Sequence, residues 1–584
     1  MSGEANREQL RKRIMAATGR EPADVVIRNG RIVDVFGLEA IRGDVAIRDG
    51  VIVGIGSYEG KTVIDAQGRY VCPGLIDGHV HIESSMATPA EFAKVVLPHG
   101  VTTVVADPHE IANVCGTAGL DYMLDASRGL PLNVLFMLPS CVPATPFENA
   151  GAELAAPDLS PYYGRPGVLG LAEVMDYPAV AEAREDMLDK LADAAGRGVP
   201  VDGHGSGLGP GAIDVYRAAG IRTDHECTTP EEALDRVRRG MYVLMREGSA
   251  AKNLAALLPA VNAGNERRFA FCTDDKHLDE LVAEGSIDHH IRLAIRHGMD
   301  PLRAIRIATL NAAECFGLQG LGAVAPGYAA DLLIVDDLEN MTIRQVYRAG
   351  ELVAEDGRVV AGSRAEASRP VPPALTGTVR LPRLREEDLR IAVGPSGNVR
   401  VIEVIPNSIV TRKRIVEADA VDGVFKASTP RDLLKMAVIE RHRGTGNVGL
   451  GIVSGFRLRR GAIASTVAHD SHNLVCVGAT DRDMLAAVDA LGRMGGGLVV
   501  VDDGEPIASL PLEIAGLMTA RPYGDIVREI EALNRALTRI GASEEFNAFL
   551  TLSFLCLPVI PELKLTDLGL FDTEAFRHVP TGLD

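Results

Sequence analysis

His79, His81 and Glu83 stand at alternate positions in PGLIDGHVHIESS (73–85), directly after a short apolar run. In a β-strand, residues i, i+2 and i+4 share one face, so this spacing predicts three side chains converging at a strand's end. Alternating polar residues can also line a solvated strand face, and the rest of the chain must separate the two readings. Other apolar runs close in the same way: Glu173 after GVLGLA, His204 in VPVDGHG, His225 in IRTDHE and Asp274 in RFAFCTDD. Together His79, His81, Glu173, His204, His225 and Asp274 offer imidazole nitrogen and carboxylate oxygen, with no thiolate among them. That donor set suits Zn²⁺, Fe²⁺ or Mn²⁺. Six ligands exceed the needs of one tetrahedral ion. Two ions about 3.5–4 Å apart, bridged by a carboxylate and a hydroxide, would use them all and generate a nucleophile at neutral pH.

Side chains 195 positions apart can meet only if a fold gathers strand ends. Between residues 73 and 320, eight apolar runs end at His79, Asp107, Pro139, Glu173, His204, His225, Arg246 and Asp274. Helical patterns lie between several of them, such as PAVAEAREDMLDKLADAAGRG (178–198) and TTPEEALDRVRRG (228–240). Eight strands alternating with helices over roughly 250 residues predict a (β/α)₈ barrel, whose catalytic side chains come from the C-terminal ends of the strands. Before it, DVVIRNGRIVDV and DVAIRDGVIVGIG are β-branched runs broken by Asn-Gly and Asp-Gly, both hairpin signals. The same texture returns in AADLLIVDD and IRQVYRAGELVAEDGRVV.

The expected architecture is therefore α/β. A helical segment (1–23) precedes a small composite β-sandwich (24–72 and 321–361) into which the barrel (73–320) is inserted. A linker rich in proline and small residues (362–379) leads to a C-terminal α/β domain (380–584), where strands such as NLVCVGA alternate with helices such as DRDMLAAVDALGRM.

The formal charge of −19 over 584 residues argues against nucleic acid or an anionic membrane as the main partner. No apolar run approaches the roughly 18–20 residues needed to span a bilayer, and the charged N-terminus does not read as a secretory signal. Eight cysteines are scattered without a CxxC, which suits reduced thiols in a cytoplasm. Cys227 and Cys272, each two residues from a proposed ligand, read as barrel filling.

PGLIDGHVH, followed by Glu, His, His and Asp at later strand ends, resembles the amidohydrolase superfamily, in which a split sandwich around the barrel is typical. Within it, DGHVHIESSM, ADPHEIANVCG, GLAEVMDYPAV, DGHGSGL, TDHECTTPEEA, CTDDKH and the C-terminal RGAIASTVAHDSHNLVCVG resemble the bacterial adenine deaminase family. The resemblance covers nearly the whole chain and implies hydrolysis of adenine to hypoxanthine and ammonia, with two divalent ions (manganese or iron, with zinc as the alternative). A cytoplasmic homodimer or other homo-oligomer acting on a small molecule is expected. HIE at 81–83 matches the H-x-E of zinc cytidine deaminases, but the required P-C-x-x-C is absent. No lysine ends the fourth strand, which leaves Glu173 as the natural bridge where many relatives use a carboxylated lysine.

With adenine as substrate, Asp274 becomes the general base. Glu83, His109 and Glu110 are the candidates for proton shuttling and for holding the purine edge; each could instead be a hydrogen-bond partner of a ligand histidine. His469, Asp470 and His472 in AHDSHN could close over the barrel mouth or cap a helix. The rival readings are another amidohydrolase, such as an N-acetyl sugar deacetylase, and a non-catalytic homologue acting as a scaffold. The second would be marked by missing ligands, and none of the six is missing.

Overall fold

Strand-forming residues on either side of the barrel pair with one another to build the first unit. The computed structural model describes residues 3–362 and 369–584; Met1 and Ser2 of the N-terminal segment and 363–368 of the expected linker lie outside the described residues. After a helix at Gly3–Ala17, strands between residues 23 and 73 join strands between 332 and 359 in one nine-stranded sheet. The two sets meet where Leu332–Val335 runs antiparallel to Tyr70–Pro73. The sheet curls so that Ile27, Ile47 and Ile52 share a core with Ala330, Leu332 and Tyr347. Asp49-Gly50 forms the expected two-residue hairpin, both residues having positive φ (49° and 71°). Asn29-Gly30 does not. The strand Ala23–Asp34 runs through it, with a register shift between Ile27 and Gly30 where a bulge absorbs the positive φ of Asn29.

The eight barrel strands are β1 (Leu75–Val80), β2 (Val101–Ala106), β3 (Asn133–Leu138), β4 (Val168–Val174), β5 (Val201–Gly203), β6 (Thr223–Asp224), β7 (Tyr242–Arg246) and β8 (Phe269–Cys272). All pair in parallel, β1 to β5 in one arc and β6 to β8 in the other. The arcs close at two seams. Arg222 N donates to Val201 O (3.0 Å) between β5 and β6; Asp274 N donates to His79 O (2.9 Å) between β8 and β1. Strands this short can sit side by side because Gly203 carries no Cβ, which would strike the Thr223 carbonyl. Ile76, Val105, Met137, Ala172, Leu244 and Ala270 fill the interior, while alternate residues such as Val104, Phe136 and Leu171 pack outward beneath the helices. The helix Pro230–Arg238 opens with a capping box, in which Thr229 and Glu232 bond each other's backbone N–H groups. The helical pattern at 178–198 is broken into Tyr177–Ala181 and Glu185–Arg197 at Ala183, whose φ is 52°.

In the C-terminal domain an eight-stranded sheet carries the helix Asp481–Met494 on one face, around Met484, Leu491 and Val499. Met436, Val438, Val475 and Val477 on the other face belong to the same apolar cluster as the barrel's outer residues. The domain is therefore packed onto the barrel. Polar contacts pin it there: Asn149 N and Nδ2 donate to the Asp567 carboxylate (2.9 and 2.6 Å), Thr519 N donates to Met86 O (3.0 Å) and Tyr523 N to Glu91 Oε2 (2.9 Å).

Asp288 illustrates how the barrel's outer layer is tied. It accepts from Ser286 N (2.8 Å) and Arg292 Nη1 (2.7 Å) and pairs with His99 Nδ1 (3.1 Å), which follows the helix after β1. Burial alone would raise its pKa, but His99 and Arg292 hold it far below the usual carboxylate range. A depressed carboxylate pKa gives stability that is present above the unfolded value of about 3.9 and is lost as pH falls through the folded one. Asp288→Asn should therefore cost about 1–3 kcal/mol at pH 7. In paired thermal or urea unfolding of wild type and variant, that gap should narrow as the pH falls below about 4; a pH-independent gap would contradict the assignment.

Candidate metal and catalytic site

The ends of β1, β4, β5, β6 and β8 bring His79, His81, Glu173, His204, His225 and Asp274 to one buried mouth, none of them more than 7% exposed. β1 ends at Val80 and His81 follows it. Glu83 does not continue the strand face as the alternation predicts, because the chain turns into a 3₁₀ helix at Ile82–Ser85. There Glu83 Oε1 accepts the N–H of Ile111 (3.3 Å) in the first turn of the helix His109–Cys115, while Oε2 is buried without a hydrogen bond.

Hydrogen-bond partners determine where the protons of the first two histidines sit. Asp202 Oδ2 lies 2.9 Å from His79 Nδ1, and the Asp107 backbone carbonyl 3.1 Å from His81 Nδ1. An oxygen that can only accept requires an N–H, so in both neutral rings the proton is on Nδ1 and the lone pair on Nε2. Those two Nε2 atoms nevertheless face each other at 3.1 Å. Asp274 Oδ1 joins them at 3.5 and 3.1 Å, and Glu173 Oε1 at 3.7 and 3.3 Å. Four acceptors converging without a proton among them need a cation. The carboxylates push His79 up to about 10 against the effect of burial, and His81 well above its ordinary value. The site demands positive charge, whether as protons or as divalent ions.

Glu173 divides its two oxygens. Oε1 faces His79, His81 and His109 Nδ1 (3.4 Å), while Oε2 lies 2.7 Å from His204 Nδ1 and 3.2 Å from His225 Nε2. His79 and His225 stack at 4.1 Å between ring centroids. Asp274 is held from the other side by Arg246, whose Nη1 donates to Oδ2 (2.7 Å) and also pairs with Glu226. Burial would raise the Asp274 pKa, but Arg246 and then the two β1 histidines hold it well below the carboxylate range. Its φ of 56° is a strained conformation for a non-glycine residue, of a kind that clusters at functional sites.

His109 and Glu110 follow β2. His109 Nδ1 donates to Asp107 Oδ2 (2.8 Å), leaving an Nε2 lone pair that faces Glu110 Oε1 and Asp470 Oδ2 at 3.6 and 3.7 Å without a hydrogen bond. The loop 466–473 of the C-terminal domain does close over the mouth. His469 Nδ1 lies 2.8 Å from Glu110 Oε1, and His472 Nε2 pairs with Glu110 Oε2. Against burial, those histidines hold Glu110 ionised, whereas burial and the neighbouring Glu110 charge raise Glu83 to about 8. The two carboxylates thus sit in opposite states at neutral pH. A cavity of about 20 Å³ lies between barrel and C-terminal domain, lined by His109, Glu110, Asp274, His469, Phe554 and Leu557 among others. Met175 and His204 line both this cavity and an outer one of about 330 Å³.

The sequence reading placed Asp107 and Arg246 at strand ends but gave neither them nor Asp202 and Glu226 a role at the site. Their signal was present: each lies at a strand end or within two residues of a named histidine, in ADPHE, DGHG, DHE and LMRE. Cys272 fills the barrel interior as expected, whereas Cys227 packs in the outer apolar layer beside Asp224; all eight cysteines are free.

A parallel barrel with histidines and carboxylates at its strand ends is the arrangement of metal-dependent hydrolases, and residues 70–353 match the amidohydrolase family. Residues 408–577 match the adenine deaminase C-terminal domain. An adenine deaminase of Geobacillus kaustophilus (strain HTA426) is 57% identical over 98% of this chain and 99% of its own. One of Bacillus subtilis (strain 168) is 52% identical over the same shares. The chain belongs to the adenine deaminase family. Its buried histidines and carboxylates form a divalent-metal site. Among the described residues no helix is long and apolar enough to cross a membrane.

Asp202 fixes the tautomer that leaves His79 Nε2 free to bind metal. Asp202→Ala should weaken divalent-metal affinity about 10–100-fold, as measured by competition with a chromophoric chelator. Unchanged affinity would show that the His79 ring is set by something else.

Proposed function

We propose that this chain hydrolyses adenine to hypoxanthine and ammonia. One observation carries the reading. The likeness to adenine deaminases runs through both the barrel and the C-terminal domain, and both supply side chains to the same cavity. The ligand set supports two ions: His79, His81 and Asp274 would hold one and His204 and His225 the other, and Glu173 turns one oxygen to each set. Nitrogen and oxygen donors without thiolate favour manganese or iron, with zinc as the alternative. Bound there, the ions supply Lewis acidity and produce the nucleophile from water at neutral pH. Eight free, mostly buried thiols support a reducing compartment such as the cytoplasm.

The chain's own groups carry the protons. Water adds at C6 of the purine, and its proton passes to Asp274 Oδ1, the oxygen left free by Arg246. Ring N1 must gain a proton as the C6–N1 double bond is saturated. Glu83, whose Oε2 makes no hydrogen bond, is the carboxylic acid that supplies it, with the unpartnered His109 Nε2 as the carrier. The Asp274 proton then goes to the exocyclic nitrogen, which leaves as ammonia as C6–O becomes a carbonyl; the remaining hydroxyl proton returns to Glu83 and restores its acid form. Glu110, an ionised acceptor, holds an N–H of the base. A bicyclic base needs more room than the inner cavity offers, so binding moves Met175, Leu557 or both toward the outer space.

Metal-replete protein should release ammonia from adenine and leave adenosine largely untouched, in a coupled ammonia assay with metal content measured on the same sample. Equal turnover of the riboside, or none of adenine, would overturn the reading.

A further inference from the structure

Glu110 belongs to the barrel, yet each of its oxygens faces a histidine of the C-terminal domain. The arrangement of those rings could be taken for a third metal site, since Glu110, His469 and His472 bring ligand atoms within reach of one ion. The backbone around His472 decides otherwise. Ala468 N–H donates to His472 Nδ1 at 3.1 Å. A backbone N–H can only donate, so Nδ1 carries the lone pair, the proton of the neutral ring is on Nε2, and Nε2 faces Glu110 Oε2. A ring in that tautomer has no lone pair to offer a metal at Nε2. It has a hydrogen bond to give, and that buried N–H makes no in-line hydrogen bond here although Glu110 Oε2 lies against it.

The loop is built to hold that ring still. His472 N donates to Ala468 O (2.7 Å), and His472 itself sits at a left-handed φ of 53°. Arg441, fully buried, donates to the carbonyls of His472, Thr466 (3.3 Å) and Ala515 (3.0 Å). His442 Nε2 donates to Ser471 O (2.7 Å), and Asn473 Nδ2 reaches across to Asn149 O (2.7 Å) on the barrel side. His469 is fixed separately: its N–H donates to Ser553 Oγ (3.1 Å) and its ring stacks on Phe554 at 4.4 Å. A site held within a fraction of an ångström needs this kind of support behind it.

We propose that His472 is a positioning residue for the reaction: its unpartnered Nε2–H comes into line with Glu110 when the base binds and aims that carboxylate at an N–H of the base. The C-terminal domain thereby completes a site whose metal ligands are all in the barrel. The role of Glu110 toward the base rests on the adenine reading; the tautomer of His472 does not.

Two experiments separate these. In zinc-loaded protein with ¹⁵N-labelled histidine, the resonance that disappears in His472→Gln should report a protonated Nε2 and a bare Nδ1. The opposite tautomer, or a metal-bound nitrogen, would overturn the inference whatever the substrate is. In the deaminase assay, His472→Leu, which has no donor, should lower kcat/KM about 10–100-fold with metal content unchanged. His472→Gln, which keeps an N–H, should recover most of that loss. In a Glu110→Gln background, His472→Leu should cost less than about twofold more, because the two residues act as one unit. Equal losses in the Gln and Leu variants, additive effects, or the loss of one ion per chain would each overturn it. Absence of activity in wild type would instead defeat the adenine reading and leave the tautomer measurement to decide this one.

Discussion

Two histidine nitrogens that face each other at 3.1 Å, each with its proton committed to the opposite side of its ring, define this molecule. Such a contact is repulsive until a cation sits beside it, and everything around it follows from that demand. Glu173 and Asp274 add charge of the sign a divalent ion needs. Asp202 and the Asp107 carbonyl, themselves on barrel strands or directly after them, keep the lone pairs aimed inward. The barrel's last seam is part of the same device. Asp274 closes β8 against β1 through the backbone of His79, so the ligand pair and the strand pair form together.

Charge balance then shapes the second layer. Arg246 is a buried guanidinium shared between Asp274 and Glu226, and it leaves one oxygen of Asp274 to face the β1 histidines. Glu83 and Glu110, close enough to affect each other's ionisation, are pushed to opposite states: one is desolvated and neutral, the other ionised between two imidazoles. Environments that separate two carboxylates in this way assign acid and acceptor without any change in residue type. The second of these environments is not the barrel's own. It is supplied by a loop some 360 residues along the chain from Glu110, which gives the C-terminal domain a chemical reason to pack where it does.

How much of this was legible in the sequence depended on whether a residue's partner was local. The eight strands and their polar ends could be read because parallel barrel strands are continuous apolar runs and their topology gathers the ends. Asp49-Gly50 could be read as a hairpin because the turn is decided by two residues. Asn29-Gly30 offered the same signal, but pairing with Glu39–Arg48 on one side and Gly60–Asp65 on the other carried the strand through it as a bulge. Glu83 was misplaced because period two was extended past Val80, where the backbone turns to 3₁₀. Asp202 and Arg246 went unassigned although both stood in conspicuous motifs, because their partners, His79 and Asp274, lie on other strands. His472 could be noticed but not interpreted, since its tautomer is set by a single backbone N–H.

The sharing of Glu173 between two pairs of histidines is the claim on which the two-ion reading stands, and counting metal tests it most directly. Wild type and Glu173→Gln would be stripped with chelator, reconstituted with one divalent metal, desalted and analysed for metal per chain alongside deaminase activity. Wild type should hold close to two ions; the variant, with its bridging charge removed and only His204 and His225 left for the second ion, should hold close to one and lose most of its activity. A fully active wild type with a single ion, or a variant that keeps both, would contradict it.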